Sequence, residues 1–494
     1  MGVLRRTQAL LIWNIKRCLS GDIKKRPAYY HNPGTERLRA ITTGQLINLA
    51  AEKWPKRNAI ISLHEKKQLT FMQLKEQADQ LGAGFVKLGL KPGDRLAVIG
   101  ANTIHWYVTM QAAAKAGLIL VMLNPAYRPL ELSYALKHVG VKGVVTDHKF
   151  KTQNYPEILA EVAPGISKAP HGEPLNCPEL PDLSFVIVAT DEKLPGCYRY
   201  DDIMVSPQEK EIIFEVENQV QPDDPTCIQF SSGTTGQPKA AVLSHFGTIN
   251  NGHFFGKRCG YDTMHHTLCL QVPMFHIMGS TLGILCALDF GMTLVLPGPS
   301  YKKEDTIKAL EKHKCNVLYG TPTMHIDICN DLKKLFPEFP KLREACKDFK
   351  VVVSGGAICT PSLFKDIYNI FECKVQSAYG LTETSPICFT NTQNDTFEQR
   401  TTTVGFVADH LEVKIVDKEG RMVNFGESGE VWFRSFGNLL EYWGDEKKTK
   451  EAITSSNWFK IWRSYGADRR WIWYHRRRIK DVIIRGGKIY SLQK

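Results

Sequence analysis

Short apolar runs that do not alternate with polar residues recur along this chain, separated by stretches of helical periodicity. Leu96-Ala97-Val98-Ile99, Leu118-Ile119-Leu120-Val121 and Gly143-Val144-Val145-Thr146 make one series. Thr293-Leu294-Val295-Leu296, Asn316-Val317-Leu318-Tyr319 and Lys350-Val351-Val352-Val353 make a second. Strands apolar on both faces must be covered on both faces, as in parallel sheets packed between helices. Leu69–Leu90 and Trp106–Ala116 supply the helical spacing, with Pro92-Gly93-Asp94 as a turn. The pattern predicts a large α/β body of doubly wound sheets. From Gly405 the rhythm changes. Leu411–Val416 alternates and Gly429–Arg434 follows a glycine-containing turn, so a small antiparallel β subdomain is expected. The Pro-rich stretch from Ala163 to Asp182 reads as a surface loop.

The net charge of +12 invites a nucleic-acid reading, but its location argues against one. Residues 1–26 carry +6 and residues 460–494 carry +9, leaving the body between them at −3. A nucleic-acid binder carries its basic stripe on the folded body, so no nucleic-acid partner is expected. Thirteen cysteines without C-x-x-C spacing suit free thiols in a reducing compartment. The first twenty residues hold Arg5, Arg6, Lys16 and Arg17 around Ala9-Leu10-Leu11-Ile12-Trp13, and no acid. That is the pattern of a mitochondrial transit peptide, expected over residues 1–22, with an ordinary basic N-terminus as the alternative. Its apolar centre is too short to cross a bilayer. Ile277–Leu296 is interrupted by Asp289 and reads as a buried helix and strand, so no integral membrane segment is expected.

The strongest local signal is Ser231-Ser232-Gly233-Thr234-Thr235-Gly236-Gln237-Pro238-Lys239, after the apolar Ile228 and Phe230. Small residues let the backbone approach a ligand, hydroxyls and amides can wrap phosphate oxygens, and Lys239 adds a charge. Pro238 and the spacing exclude a Walker A loop. Ser354-Gly355-Gly356-Ala357 ends a strand and leaves room for a flat ring or a phosphate. Ser377-Ala378-Tyr379-Gly380-Leu381-Thr382-Glu383-Thr384 follows, and Glu383 offers hard oxygen ligands suited to Mg²⁺ beside phosphates. Pro273-Met274-Phe275-His276-Ile277-Met278-Gly279 lies between the first segment and these two.

Together and in this order, these segments resemble the acyl-adenylate-forming (AMP-binding) superfamily, over about Thr42 to Phe459. In detail the chain is similar to the medium-chain acyl-CoA synthetases. The resemblance implies ATP, Mg²⁺ and a fatty acid as partners, with coenzyme A as co-substrate. It implies that Ser231, Ser232, Gly233, Thr234, Thr235, Gly236 and Lys239 hold the ATP phosphates. Gly355, Gly356 and Ala357 would line the adenine pocket, with Tyr379 stacking on the base and Gly380 beside it. Thr382 would contact the α-phosphate, Glu383 would hold the metal, and His276 would gate the acyl tunnel. Tyr319 and Gly320 would form part of the acyl wall, Arg478 would contact the ribose, and Lys480 would be the hinge. Amino-acid adenylating modules keep an Asp after the aromatic residue at Phe275, where this chain has His276. An amine-free acid is therefore expected, with an amino-acid module as the alternative.

The chain departs from the family pattern in three places. Ala240 replaces a Gly and Cys359 a Pro, both mild changes. After Trp458-Phe459-Lys460 the family continues Thr-Gly-Asp, whose Asp grips the ribose, whereas this chain reads Ile461-Trp462-Arg463. Trp has the single codon TGG, so a one-base shift turns each Trp into Gly. Trp462-Arg463-Ser464 can then read Gly-Asp-Leu. Residues 469–476 can read Glu-Asp-Gly-Phe-Gly-Ile-Ile-Gly, also as the family expects. Residues 461–477 are thus expected to be out of frame. The implied division is a body over 27–404, a β subdomain over 405–477, and a hinge with a stub of a C-terminal lid over 478–494. The lid's catalytic Lys is expected to be absent, and such a loss costs on the order of 10²–10³ in rate. The chain as written is expected to be an impaired ligase, or a non-catalytic nucleotide- or acyl-binding form.

Overall fold

The apolar runs become the centres of two sheets. The computed structural model describes residues 26–231, 237–424 and 427–461 with their side chains, and the backbone of 462–467, 473–478, 482–485 and 488–491. The expected transit segment lies outside the described residues. In the first sheet the order is Tyr198–Arg199, Phe185–Ala189, Gly143–Asp147, Arg95–Ile99, Ile119–Leu123, Pro225–Ser231, Lys239–Ser244 and Glu441–Tyr442. In the second it is Phe406–Val407, Ile387–Thr390, Lys374–Gly380, Val351–Gly355, Val317–Gly320, Thr267–Leu270, Thr293–Leu296, Asn58–Ser62 and Lys67–Thr70. All five residues are buried in Ile119–Leu123, Gly143–Asp147 and Val351–Gly355. That burial is why these runs show no alternation.

The fold is α/β as expected, but its sheets are mixed rather than wholly parallel. Lys239–Ser244 and Glu441–Tyr442 add antiparallel strands to the first sheet. Ile387–Thr390, Phe406–Val407 and Lys67–Thr70 do the same for the second. The connection between Ser231 and Lys239 is too short for a parallel crossover, which needs a dozen or more residues, so the chain folds back as a hairpin. A third, antiparallel sheet runs Tyr29–Asn32, Leu411–Val416, Gly429–Ser435, Phe459–Ala467 and Trp473–Arg478. In Leu411–Val416 the side chains alternate between buried and half-buried at first, as the sequence suggested. Its edge strand Tyr29–Asn32 comes from the opposite end of the sequence. Residues 405–477 supply strands to all three sheets.

The expected helices form at Phe71–Lys87 and Ile104–Lys115. Thr70 and Thr103 start them by accepting hydrogen bonds from the backbone N–H groups of Gln73 and Trp106. A buried charge cluster ties these helices together. The Lys115 ammonium, wholly inaccessible, sits 3.1 Å from Asp79, 2.7 Å from Glu217 and 2.7 Å from Asn48 Oδ1.

Two histidines are buried as neutral rings. His245 Nδ1 accepts from the Thr43 N–H, and His325 Nε2 donates to the Val353 carbonyl. Desolvation pushes His245 down to about 3 and His325 to about 4, against about 6.5 when unfolded. Between those values the unfolded chain binds more protons, so stability is lost as pH falls below about 6.5. Each histidine contributes a slope of up to about 1.4 kcal/mol per pH unit. Urea midpoints are expected to fall steadily from pH 7 through 6 to 5; a flat profile would contradict the neutral buried rings.

Candidate active site

The segments singled out by sequence meet where parallel strands end. Ser231, Gly320, Gly355 and Gly380 are each the last residue of a strand. In open α/β sheets ligands bind beyond the carboxyl ends of the strands. Ser231 and Lys239 face each other across the hairpin register. Ser232, Gly233, Thr234, Thr235 and Gly236 lie outside the described residues.

Glu383 stands at the centre. It sits on the short helical turn Thr382–Thr384, directly after Lys374–Gly380, and is 9% exposed. Ser231 Oγ donates to its Oε1 at 2.7 Å, and the Tyr442 hydroxyl donates to the same oxygen at 2.9 Å. The Leu439 N–H donates to its backbone carbonyl at 2.8 Å. The Lys239 ammonium lies 4.9 Å from the centroid of the Tyr442 ring. Burial and the neighbouring Glu383 carboxylate raise the Tyr442 hydroxyl well above the usual tyrosine range. A hydroxyl, an ammonium and a carboxylate from three segments thus converge at the seam between two sheets. The donor set is hard oxygen beside a cation, which fits Mg²⁺ and phosphate.

Gly355 packs against Ala378, and a Cβ would sit 3.1 Å from the Ala378 carbonyl oxygen. Gly356 has φ +80 and, among the described residues, only Thr321 Cγ2 near a would-be Cβ, so a positive φ and open space coincide there. Ala357 is exposed beside them. Tyr379 is half-buried, its ring 5.9 Å from that of Phe389. At Gly380 a side chain would overlap the Pro386 carbonyl, against which the chain turns into Ile387–Thr390. Of these three glycines, Gly356 is the one with open space beside it.

His276 is exposed to solvent, yet surrounding protein lowers its pKa below the usual imidazole value. Its Nδ1 accepts the Met278 N–H at 3.2 Å, which leaves the proton on Nε2 when neutral. Asn102 holds the preceding segment, accepting from the Met274 N–H and donating to the Val272 carbonyl. After His276 the chain forms a π-helix, Met278–Leu285, a feature frequent at functional sites. Met110, Leu120, Met122, Cys227, Thr281 and Leu285 line a small, largely apolar cavity against it.

Tyr319 is fully buried. Its hydroxyl accepts from Tyr261 and donates to the Leu282 carbonyl, both at 3.0 Å. Gly320 abuts Gln271 and the His325 ring. Tyr319 therefore lies against the π-helix with its polar group already satisfied. Arg478 is described only by its backbone, where it pairs in register with Arg463. Lys480 is outside the described residues. Tyr442 was not singled out by sequence, because its partner Glu383 is 59 residues away and no local pattern links them.

The AMP-binding enzyme family profile matches residues 47–443. The mitochondrial medium-chain acyl-CoA ligase ACSF2 of Danio rerio is 36% identical over 466 residues, covering 93% of this chain and 75% of that protein. The ACSF2 of Homo sapiens is 35% identical over 475 residues, with the same coverage of each. Among solved structures, a fatty acyl CoA synthetase from Mycobacterium tuberculosis superposes with TM-score 0.73 at 21% identity, covering 91% of this chain and 81% of that one. The long-chain-fatty-acid-CoA ligase FadD1 of Archaeoglobus fulgidus gives TM-score 0.75 at 20% identity, covering 92% and 87%.

Proposed function

Because the chain belongs to the AMP-binding enzyme family, among its acyl-CoA ligases, we propose that it activates a medium-chain fatty acid with ATP and passes the acyl group to coenzyme A. The convergence of Ser231, Lys239 and Glu383 at one seam carries this reading. The acid's carboxylate oxygen attacks the α-phosphorus of ATP, pyrophosphate leaves, and an acyl-adenylate remains. The coenzyme A thiol then attacks the activated carbonyl and AMP departs. Such transfer relies on positioning and charge neutralisation.

Residue type and chain order support a role for each segment. Ser231 to Lys239 cradle the phosphates, and Lys239 meets their negative charge. Thr382 steadies the α-phosphate. Glu383 would hold Mg²⁺, which when bound neutralises phosphate oxygens. Gly355, Gly356 and Ala357 give the adenine its slot, with Tyr379 against its face. His276 gates the acyl path. The relatives' names support a medium-chain acid and a mitochondrial setting, and the basic first twenty residues agree with that setting. His276 in place of an Asp speaks against an amino-acid module.

A second reading, a nucleotide- or acyl-binding protein without turnover, is favoured by one observation only. Arg463 replaces the expected ribose-binding acid. ATP–pyrophosphate exchange with octanoate, decanoate and free amino acids separates the readings. Exchange that depends on the fatty acids, slower than that of the Danio rerio relative, is the expected result. ATP binding with no exchange would replace it with the second reading, and exchange with amino acids alone would overturn both.

A further inference from the structure

We propose that Tyr442 is a positioning residue that orients the Glu383 carboxylate for a phosphate-bound cation and seats Lys239 beside it. The inference rests on the ATP reading of the site. Tyr442 is 3% exposed, and its place is fixed by its own backbone. It pairs in register with Ala241, and its N–H donates to Thr449 Oγ1 at 2.9 Å. The flanking Leu440 and Trp443 N–H groups donate to Val242 and Ala240. The ring is thus anchored to the strand that begins at Lys239, while its hydroxyl reaches across to the other sheet.

Two hydroxyls, from Ser231 and Tyr442, donate to Glu383 Oε1. Among the described residues, Oε2 accepts no hydrogen bond. Two donors on one oxygen fix the carboxylate plane and direct the second oxygen to any cation. The ring face does separate work. The Lys239 ammonium at 4.9 Å is held by a cation–π contact. One side chain therefore sets the relative placement of a metal-binding carboxylate and a phosphate-binding ammonium, groups contributed by different sheets.

Tyr442→Phe separates the two contacts, since it deletes the hydroxyl and keeps the ring. ATP affinity is measured calorimetrically on the full chain with and without Mg²⁺, alongside the melting temperature. The wild-type chain is expected to bind ATP more tightly with Mg²⁺. In Tyr442→Phe that enhancement falls about tenfold, as for loss of a hydrogen bond to a charged group, while Mg²⁺-free affinity stays unchanged. Tyr442→Leu, which also removes the ring, additionally weakens Mg²⁺-free binding. Should Tyr442→Phe lower the melting temperature markedly, the titrations are run well below its transition, where the same loss of Mg²⁺ enhancement is expected. Wild-type Mg²⁺ enhancement in a folded Tyr442→Phe would overturn the inference. If the wild-type chain shows no Mg²⁺-enhanced ATP binding, the ATP reading of the site fails instead.

Discussion

Glu383→Gln is expected to lower adenylate formation by on the order of 10²–10³, the cost of removing one preorganised charge-stabilising group. The amide has nearly the shape of the carboxylate, and its oxygen can still accept from Ser231 and Tyr442. The turn Thr382–Thr384 also keeps its backbone bond from Leu439. Packing therefore survives and the melting temperature should move by only a few degrees, while the negative charge is gone. Pyrophosphate exchange as a function of Mg²⁺ reads the two apart. A rate within threefold of wild type at saturating Mg²⁺ would remove Glu383 from the proposed chemistry.

The second large effect is a gain. Arg463→Asp is expected to tighten nucleotide binding about tenfold or more, because a charge-assisted hydrogen bond to ribose contributes roughly 1.5–3 kcal/mol. The strand Phe459–Ala467 pairs with Trp473–Arg478 so that Arg463 and Arg478 occupy one cross-strand position. Replacing all of residues 461–477 by their shifted-frame reading should tighten binding at least as far as the single change. Sequencing the transcript across codons 455–494 gives an independent check, with one base gained or lost as the expected finding. An unaltered transcript together with unchanged binding in Arg463→Asp would make this segment a genuine divergent stretch.

The central strands were legible because burial on both faces leaves an uninterrupted apolar run, and Val351–Gly355 is the plainest case. The sheet edges were not. Phe406–Val407 and Glu441–Tyr442 are two residues long, too short for any period to register. The edge strand Tyr29–Asn32 finds its partner nearly a whole chain away. At the site, Ser231, Lys239 and Glu383 announced themselves by residue type, and the structure brings them together. A tyrosine near the end of an apolar strand reads the same whether it faces a tunnel or the core, and only the structure sets the Tyr319 hydroxyl between Tyr261 and Leu282. Tyr442 depended on a contact between sheets, which no local pattern encodes.

The long reach of Tyr29–Asn32 has a consequence during synthesis. Tyr29 and its hydrogen-bond partner Glu412 are 383 residues apart. At roughly 5–20 residues per second, the ribosome delivers that partner about 20–80 s after the tyrosine. Throughout that interval the first strand of the third sheet waits without a neighbour, a bare edge of the kind that invites pairing with other chains. The nascent protein thus depends on chaperones most before its last strands emerge, and slowing translation should worsen its aggregation rather than relieve it.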